Sequence, residues 1–365
     1  MFFILQYIIK PHLTFALTRL YICTFTHLNI FCSIKYMRIP FQQMQAEFSR
    51  ILLKLNFTPA KAEAIATIFA ENSRDGVYTH GLNRFPVFVK FVKEGHVKPD
   101  AEPTAETGMG LVERWNGNYG PGMLNAKFCM DRAIQLAQQH GIGCVAIKDT
   151  NHWMRGGTYG WQAAEAGCIG ICFTNTIANL PPWGGIEPRL GNNPLIIAVP
   201  RKGGDVVLDM AVSQYSFGKL QQYRSSGEPL PLPGGYDKAG KLSVNAAEII
   251  ESQRLLPVGF WKGSGLSLML DLLVTVLSGG NSTARVSEKK AETGVSQVFI
   301  CIKPNDDALT DNLIEQIMDY TKSSSLIDVD NPIRFPGEGT LKTRERNLKE
   351  GIPVDEVIWN KVLGL

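Results

Sequence analysis

The sequence lacks an unbroken apolar run of about 20 residues, the length a membrane-spanning helix requires, so no span is expected in it. It also lacks any ordered cysteine pattern. The seven cysteines are an odd number at irregular gaps with no C-x-x-C pair, which points to a reducing, cytoplasmic setting rather than a disulfide scaffold. None of the six histidines belongs to an H-x-x-x-H pair, and Cys168 and Cys172 sit astride an apolar, strand-like run, so no metal site is expected. G-x-S-x-G is missing too; Gly263-Ser264-Gly265 is too short a match to indicate a serine nucleophile. Acidic residues are absent from the first 36 positions, where Lys10, Arg19 and Lys35 account for the whole formal charge of +3. From Met37 onward the charges cancel, and a neutral body has no concentrated basic surface with which to hold nucleic acid.

What is present is the composition of an ordinary globular protein: 365 residues, 44% hydrophobic and 19% charged, enough to bury a large core in about two domains. The first 36 residues are aromatic and apolar but interrupted by charged and polar positions, and the longest stretch without a charge, 20 to 34, has 15 residues. No small-residue cleavage site follows it. These residues are expected to be translated upstream sequence, with Met37 as the native start.

From Phe41 the apolar positions of FQQMQAEFSRILLKLNF fall three and four apart, as a helix with one buried face requires. Thr58-Pro59 supplies the N-cap and first turn of a second helix that runs toward Gly76. Between about Gly110 and Pro304 the texture changes to short β-rich runs (CVAIK, IGICFTN, LIIAVP, DVVLDMA and QVFICIK) alternating with helical segments. That alternation predicts an α/β class, a sheet layered with helices. Helical character returns in DNLIEQIMDYTKSS and VDEVIWNKVLGL. The expected organisation is a helical domain from residues 37–110 and 305–365 around a sheet domain from 111–304. The segment SSGEPLPLPGGYDKAGKLS reads as a long surface loop.

Gly141-Ile142-Gly143-Cys144-Val145-Ala146 matches the dinucleotide fingerprint G-x-G-x-x-A in form but not in order. The fingerprint follows a strand and opens a helix, whereas here a helical run precedes the glycines and a strand follows, which makes Gly141 a helix C-cap. Any nicotinamide site must then be built by other means. Two constellations carry chemistry. In Asp75-Gly-Val-Tyr-Thr-His80-Gly-Leu-Asn-Arg84-Phe-Pro86 an isolated His between flexible positions is followed one turn later by an Arg. Such a His can give a proton to a carbonyl oxygen, and such an Arg can grip a carboxylate; a capping His beside a surface Arg is the bland alternative. The second, Thr150-Asn-His152-Trp153-Met-Arg155-Gly-Gly, follows a strand, where loops carry function; alternatively Trp153 anchors the core and His152 bonds locally.

YTHGLNRFP, NHWMRGGTYGWQAAEAG, GNNPL, VLDMA, LPVGFWKGSGLSLMLDLL and RFPGE, in that order and with those separations, resemble the type-2 malate/L-lactate dehydrogenase family over essentially all of Met37 to Leu365. The resemblance implies a three-layer, non-Rossmann fold around a mixed sheet with an accompanying helical domain. It implies a homodimer with NAD bound near the subunit interface, used as NADH with NADPH possible, and a small 2-keto acid as substrate. His80 matches the catalytic proton donor, Arg84 and His152 match positions lining the substrate pocket, and Asn193 stands where many relatives have Thr. Thr79 replaces the usual Ser before the catalytic His. For the cofactor the resemblance points to Asp205, Val206, Val207, Leu208, Asp209, Met210 and Ala211, to Trp261 and Lys262, and to Gly337, Glu338 and Gly339. A strand end offers backbone groups and a carboxylate, and a Lys at a helix start offers charge and free N–H groups to phosphate. Malate or lactate oxidation and cyclic imino-acid reduction remain open on the same frame, as does a non-catalytic ligand-binding protein.

Overall fold

The structure, a computed structural model, describes residues 37–289, 291–305 and 307–365; the reading of the first 36 residues as a leader lies outside them. The two N-terminal helices form where the periodicity places them, Phe41–Lys54 and Pro59–Arg74. Thr58 caps the second by accepting the Lys61 N–H at 3.4 Å. Their apolar faces meet in an aromatic cluster in which Phe48 stacks on Phe85 at 4.2 Å and Phe69 meets Phe85 edge-on at 5.1 Å. Phe85 therefore anchors the chain directly after Arg84. The C-terminal segment completes this core with Ile352, Val354, Trp359 and Val362. Met37–Ile39 pairs antiparallel with Ile352–Val354, tying the two ends of the described chain together.

The seven-stranded sheet runs in the order Thr104–Ala105, Val112–Asn116, Ile142–Asn151, Thr293–Ile302, Ile169–Thr174, Leu195–Val199, Val206–Met210. Val112–Asn116 and Ile142–Asn151 are parallel and the other neighbours antiparallel, so the sheet is mixed. Alternation along the strands produces the layers. Val145, Ile147, Cys172, Phe299 and Cys301 face the helices Gly122–His140 and Gly157–Glu165. Their neighbours Cys144, Ala146, Phe173, Val298 and Ile300 face the helix Trp261–Ser278. The result is a three-layer α/β fold in which Gly141, at φ 86°, terminates a helix before a strand, the reverse of a dinucleotide-binding turn.

Several elements were not foreseen, among them a hairpin and a helix. The presumed long loop contains a small hairpin, Gly235–Tyr236 with Leu242–Ser243, and buries Leu230 against Leu220 and Ile249. Glu338–Glu350 is a helix; its sequence is too polar to show an apolar stripe, and a left-handed glycine, Gly337 at φ 93°, starts it. No helix of the described residues is long and apolar enough to cross a membrane.

Candidate active site

His80 and Arg84 end two consecutive single-turn 3₁₀ helices, Tyr78–His80 and Leu82–Arg84. The helix before them holds this turn in place. Asn72 Nδ2 donates to the His80 carbonyl at 3.0 Å and Ser73 Oγ accepts the Leu82 N–H at 2.8 Å. Gly81 lies so close to Ser73 and Phe69 that a Cβ would collide with both. Thr79 Oγ1 is 3.1 Å from His80 Nδ1, a contact a Ser hydroxyl would also supply.

His152 reaches the same place from the end of the strand Ile142–Asn151, and its ring lies parallel to that of His80 with centroids 5.7 Å apart. Its Nδ1 accepts the Met154 N–H at 3.0 Å, with Met154 in the left-handed region at φ 66°. Trp153 is buried in the core, tilted against Tyr159 with centroids 5.5 Å apart, so the local-bond and core-anchor roles coexist with a His152 ring that faces His80. Burial pushes His80 down to about 4, opposed by the Asp209 charge and reinforced by Arg84 and Arg155. Burial also holds His152 well below the usual histidine range, as do Arg84 and His80. Both shifts favour the neutral rings. Arg84, whose charge acts on both and on Glu292, is half-buried, and its guanidinium has no hydrogen-bond or ion-pair partner among the described residues. Two neutral imidazoles beside an uncommitted guanidinium form a site for an anion bearing a polar oxygen.

Two acidic residues that the sequence did not single out, Asp75 and Glu292, shape this site together with Asp209. Asp75 is buried and accepts from Arg74, Arg155 and Arg344 at 2.8–2.9 Å, fixing the start of the His80 turn. Burial alone would raise its carboxyl, but the three guanidinium groups hold it below the ordinary value. Arg155 continues to Asp209, Nε to Oδ2 at 3.4 Å, and Asp209 also accepts the Gly157 N–H at 3.0 Å. Glu292 accepts the Ile177 N–H at 3.1 Å and lies 4.0 Å from His152 Nε2. A lone Glu between Ala291 and Thr293 carries no spacing signal, whereas Asp75 and Arg155 stand inside motifs whose role was assigned to other residues.

The remaining positions divide. Asn193 is fully buried; it donates to Ser267 O at 3.0 Å and accepts the Thr176 N–H at 3.1 Å, so its amide ties the helix Trp261–Ser278 to the sheet. Asp205 accepts the Arg201 N–H at 3.0 Å and closes the turn into the edge strand Val206–Met210. Val207 N–H leaves the sheet to bond Pro336 O at 3.0 Å, which sets Gly337 against Val207 and Trp161. By strand alternation the backbone of Asp209 faces the same open edge. Glu338 accepts from Lys342 at 2.8 Å and pairs with Lys322 at 3.0 Å, contacts that outweigh burial and hold it at about 2, while Gly339 faces open space. Beyond Ala211, Val258 N–H bonds Val212 O at 2.8 Å, which carries Trp261 and Lys262 to the strand end. Trp261 is 62% exposed at the start of its helix. The edge strand, the Gly337 turn and this helix start thus present backbone donors, an aromatic face and a cation.

Comparison with known proteins places this geometry. The chain is 46% identical to 2,3-diketo-L-gulonate reductase of Pasteurella multocida over 333 residues, covering 90% of this chain and all of that protein. The fold matches malate dehydrogenase from Entamoeba histolytica with a TM-score of 0.85 at 25% identity, covering 90% of this chain and 96% of that one. It matches sulfolactate dehydrogenase from Methanocaldococcus jannaschii with a TM-score of 0.82 at 26% identity, covering 90% and 98%. Residues 39–363 match the malate/L-lactate dehydrogenase family, and the chain belongs to that family of oxidoreductases.

Proposed function

We propose that the protein is a cytoplasmic, NADH-dependent reductase of a small 2-keto acid of the 2,3-diketo-L-gulonate class, with NADPH as the possible alternative reductant. The observation that carries this reading is the uncommitted Arg84 beside the paired rings of His80 and His152, together with a relative of that activity at 46% identity. A reduced nicotinamide, when bound, supplies the hydride for the keto carbon. Val206 to Ala211, Trp261, Lys262 and the Gly337-Glu338-Gly339 turn are the residues suited to hold it. Arg84 grips the substrate carboxylate in bidentate fashion and so orients the carbonyl. His80 delivers the proton that the nascent alkoxide requires, and the Asp209 charge favours the protonated ring. His152, neutral with its proton on Nε2, donates to a substrate oxygen.

A second copy of the chain completes the reading. The helix Trp261–Ser278 exposes Leu268, Met269, Leu272 and Val276 along one face, a stripe at the three- and four-residue spacing of a helix interface. It continues from Trp261, so a homodimer formed there covers the edge of the nicotinamide site. The test is loss of nicotinamide absorbance with a panel of 2-keto acids, including 2,3-diketo-L-gulonate, and both cofactors. No turnover with any pair assigns the fold to ligand binding instead.

A further inference from the structure

His152 and Glu292 face each other across a gap of defined chemistry. Because His152 Nδ1 accepts the Met154 N–H at 3.0 Å, the proton of the neutral ring is on Nε2. Nε2 is 4.0 Å from Glu292 Oε1, beyond hydrogen-bond reach. The other carboxylate oxygen, Oε2, accepts the Ile177 N–H, whereas no described residue donates to Oε1. Both side chains keep part of their surface open, 21% for His152 and 17% for Glu292. Burial raises the Glu292 carboxyl above its ordinary value, and the Ile177 N–H and the Arg84 charge offset that rise only in part.

Donor and acceptor are too close for an atom to fit between them, so an oxygen bonded to both must sit beside the line that joins them. An oxygen about 2.8 Å from each would subtend an angle of roughly 90°, within the range a hydroxyl tolerates. The occupant must accept from Nε2–H and donate to Oε1. A hydroxyl does both; a carbonyl or carboxylate oxygen has no proton to give to the ionised Glu292 carboxylate. We propose that His152 and Glu292 form a hydroxyl-reading pair, selecting keto acids that carry a hydroxyl on the chain beyond the reacting carbonyl. This rests on the keto-acid reading of the site. A plain keto acid leaves both polar groups unmatched, and a site built for a hydroxyl discriminates strongly against the analogue lacking it.

The experiment compares kcat/KM for hydroxypyruvate against pyruvate, and for 4-hydroxy-2-ketobutyrate against 2-ketobutyrate, in the wild type and in Glu292→Gln. The amide keeps an oxygen for the Ile177 N–H but turns its NH₂ toward the gap, so the acceptor is lost with the shape retained. The wild type should favour at least one hydroxylated member. Glu292→Gln should cut that preference by about ten- to hundredfold, the worth of a charged hydrogen bond, by lowering kcat/KM for the hydroxylated member more than for the plain keto acid. Absence of a preference in the wild type, an unchanged preference, or equal loss on both members overturns the pair. If Glu292→Gln does not fold, Glu292→Asp, which withdraws the acceptor by one methylene, carries the same comparison with the same outcomes. Calorimetric titration of glycerate and lactate separates this inference from the reaction. A glycerate preference lost in the variant supports the pair even where no keto acid is reduced, and equal affinities overturn it even where reduction proceeds.

Discussion

Replacing Asp75 by Asn removes the one anion at the centre of three arginines. Its Oδ1 accepts from Arg74 Nε and Arg344 Nε at 2.9 Å, and its Oδ2 from Arg155 and Arg344 at 2.8 Å. The side chain is 3% exposed, so solvent screens these bonds little. An amide of the same shape keeps an oxygen for two of the donors and turns an NH₂ on the other two. Breaking a buried charge pair from one side costs about 3–5 kcal/mol; Arg74 and Arg344 retain some solvent, which puts the expected loss near 3 kcal/mol. In urea unfolding at pH 7 that loss lowers the midpoint by roughly 1 M at an unchanged m-value. The pH dependence has a definite sign. The arginines hold the folded Asp75 carboxyl below its ordinary value despite burial. Its stabilisation is therefore complete above the unfolded value of about 4 and is lost as pH falls through the lower folded value. The gap between wild type and Asp75→Asn should be full at pH 7 and close in acid. An unchanged midpoint, or a gap of the same size at both ends, would refute the assignment of Asp75 as the ionic anchor of the His80 turn.

Reductive kcat/KM of the wild type should fall about tenfold per pH unit above the His80 value of about 4. His80→Gln should lose kcat by about 10²–10⁴-fold and lose that slope while cofactor affinity stays near normal; a slope retained in the variant assigns the proton to another group. Arg84→Ala should raise KM for keto acids steeply with a smaller effect on kcat, because it removes carboxylate binding, and equal small losses in His80 and Arg84 variants would point to structural roles. Leu272→Glu places a charge in the exposed stripe of the helix Trp261–Ser278 and should shift the protein from dimer to monomer in light scattering; an unchanged mass would move the interface elsewhere.

Much of the fold was legible because periodicity reports burial directly. The helices at Phe41–Lys54 and Pro59–Arg74 and the strands at residues 142–151, 169–174, 195–199, 206–210 and 293–302 lie over the segments whose patterns predicted them. The helix Glu338–Glu350 was hidden because it buries little besides Asn347. The short pairing of Met37–Ile39 with Ile352–Val354 joins segments more than 300 residues apart, and nothing local encodes such a partner. At the site, the histidines and Arg84 stood out by their neighbours in the chain. Asp75, Arg155 and Glu292 act mainly through partners far along the chain, so only the folded arrangement exposes them. The internal bonding of Asn193 was equally invisible, because a buried structural amide and a ligand-binding one are spelled alike.

The charges around His80 connect binding to protonation on the proposed reading. In the unliganded site burial, Arg84 and Arg155 all disfavour the imidazolium, and Asp209 alone favours it. Arg155 is already shared between Asp75 and Asp209, so its influence changes little when a ligand arrives. Arg84 is different, because its guanidinium has no ion-pair partner among the described residues and feels Glu292 only at a distance until a carboxylate docks on it. Docking cancels that repulsion and adds an anion near the ring, and both changes raise the affinity of His80 for a proton. By reciprocity, protonation of His80 strengthens the binding of the carboxylate by the same factor. The keto acid and the proton that its reduction consumes are therefore taken up together, and an analogue whose carboxylate is replaced by a neutral amide leaves His80 without its proton even when it fills the cleft.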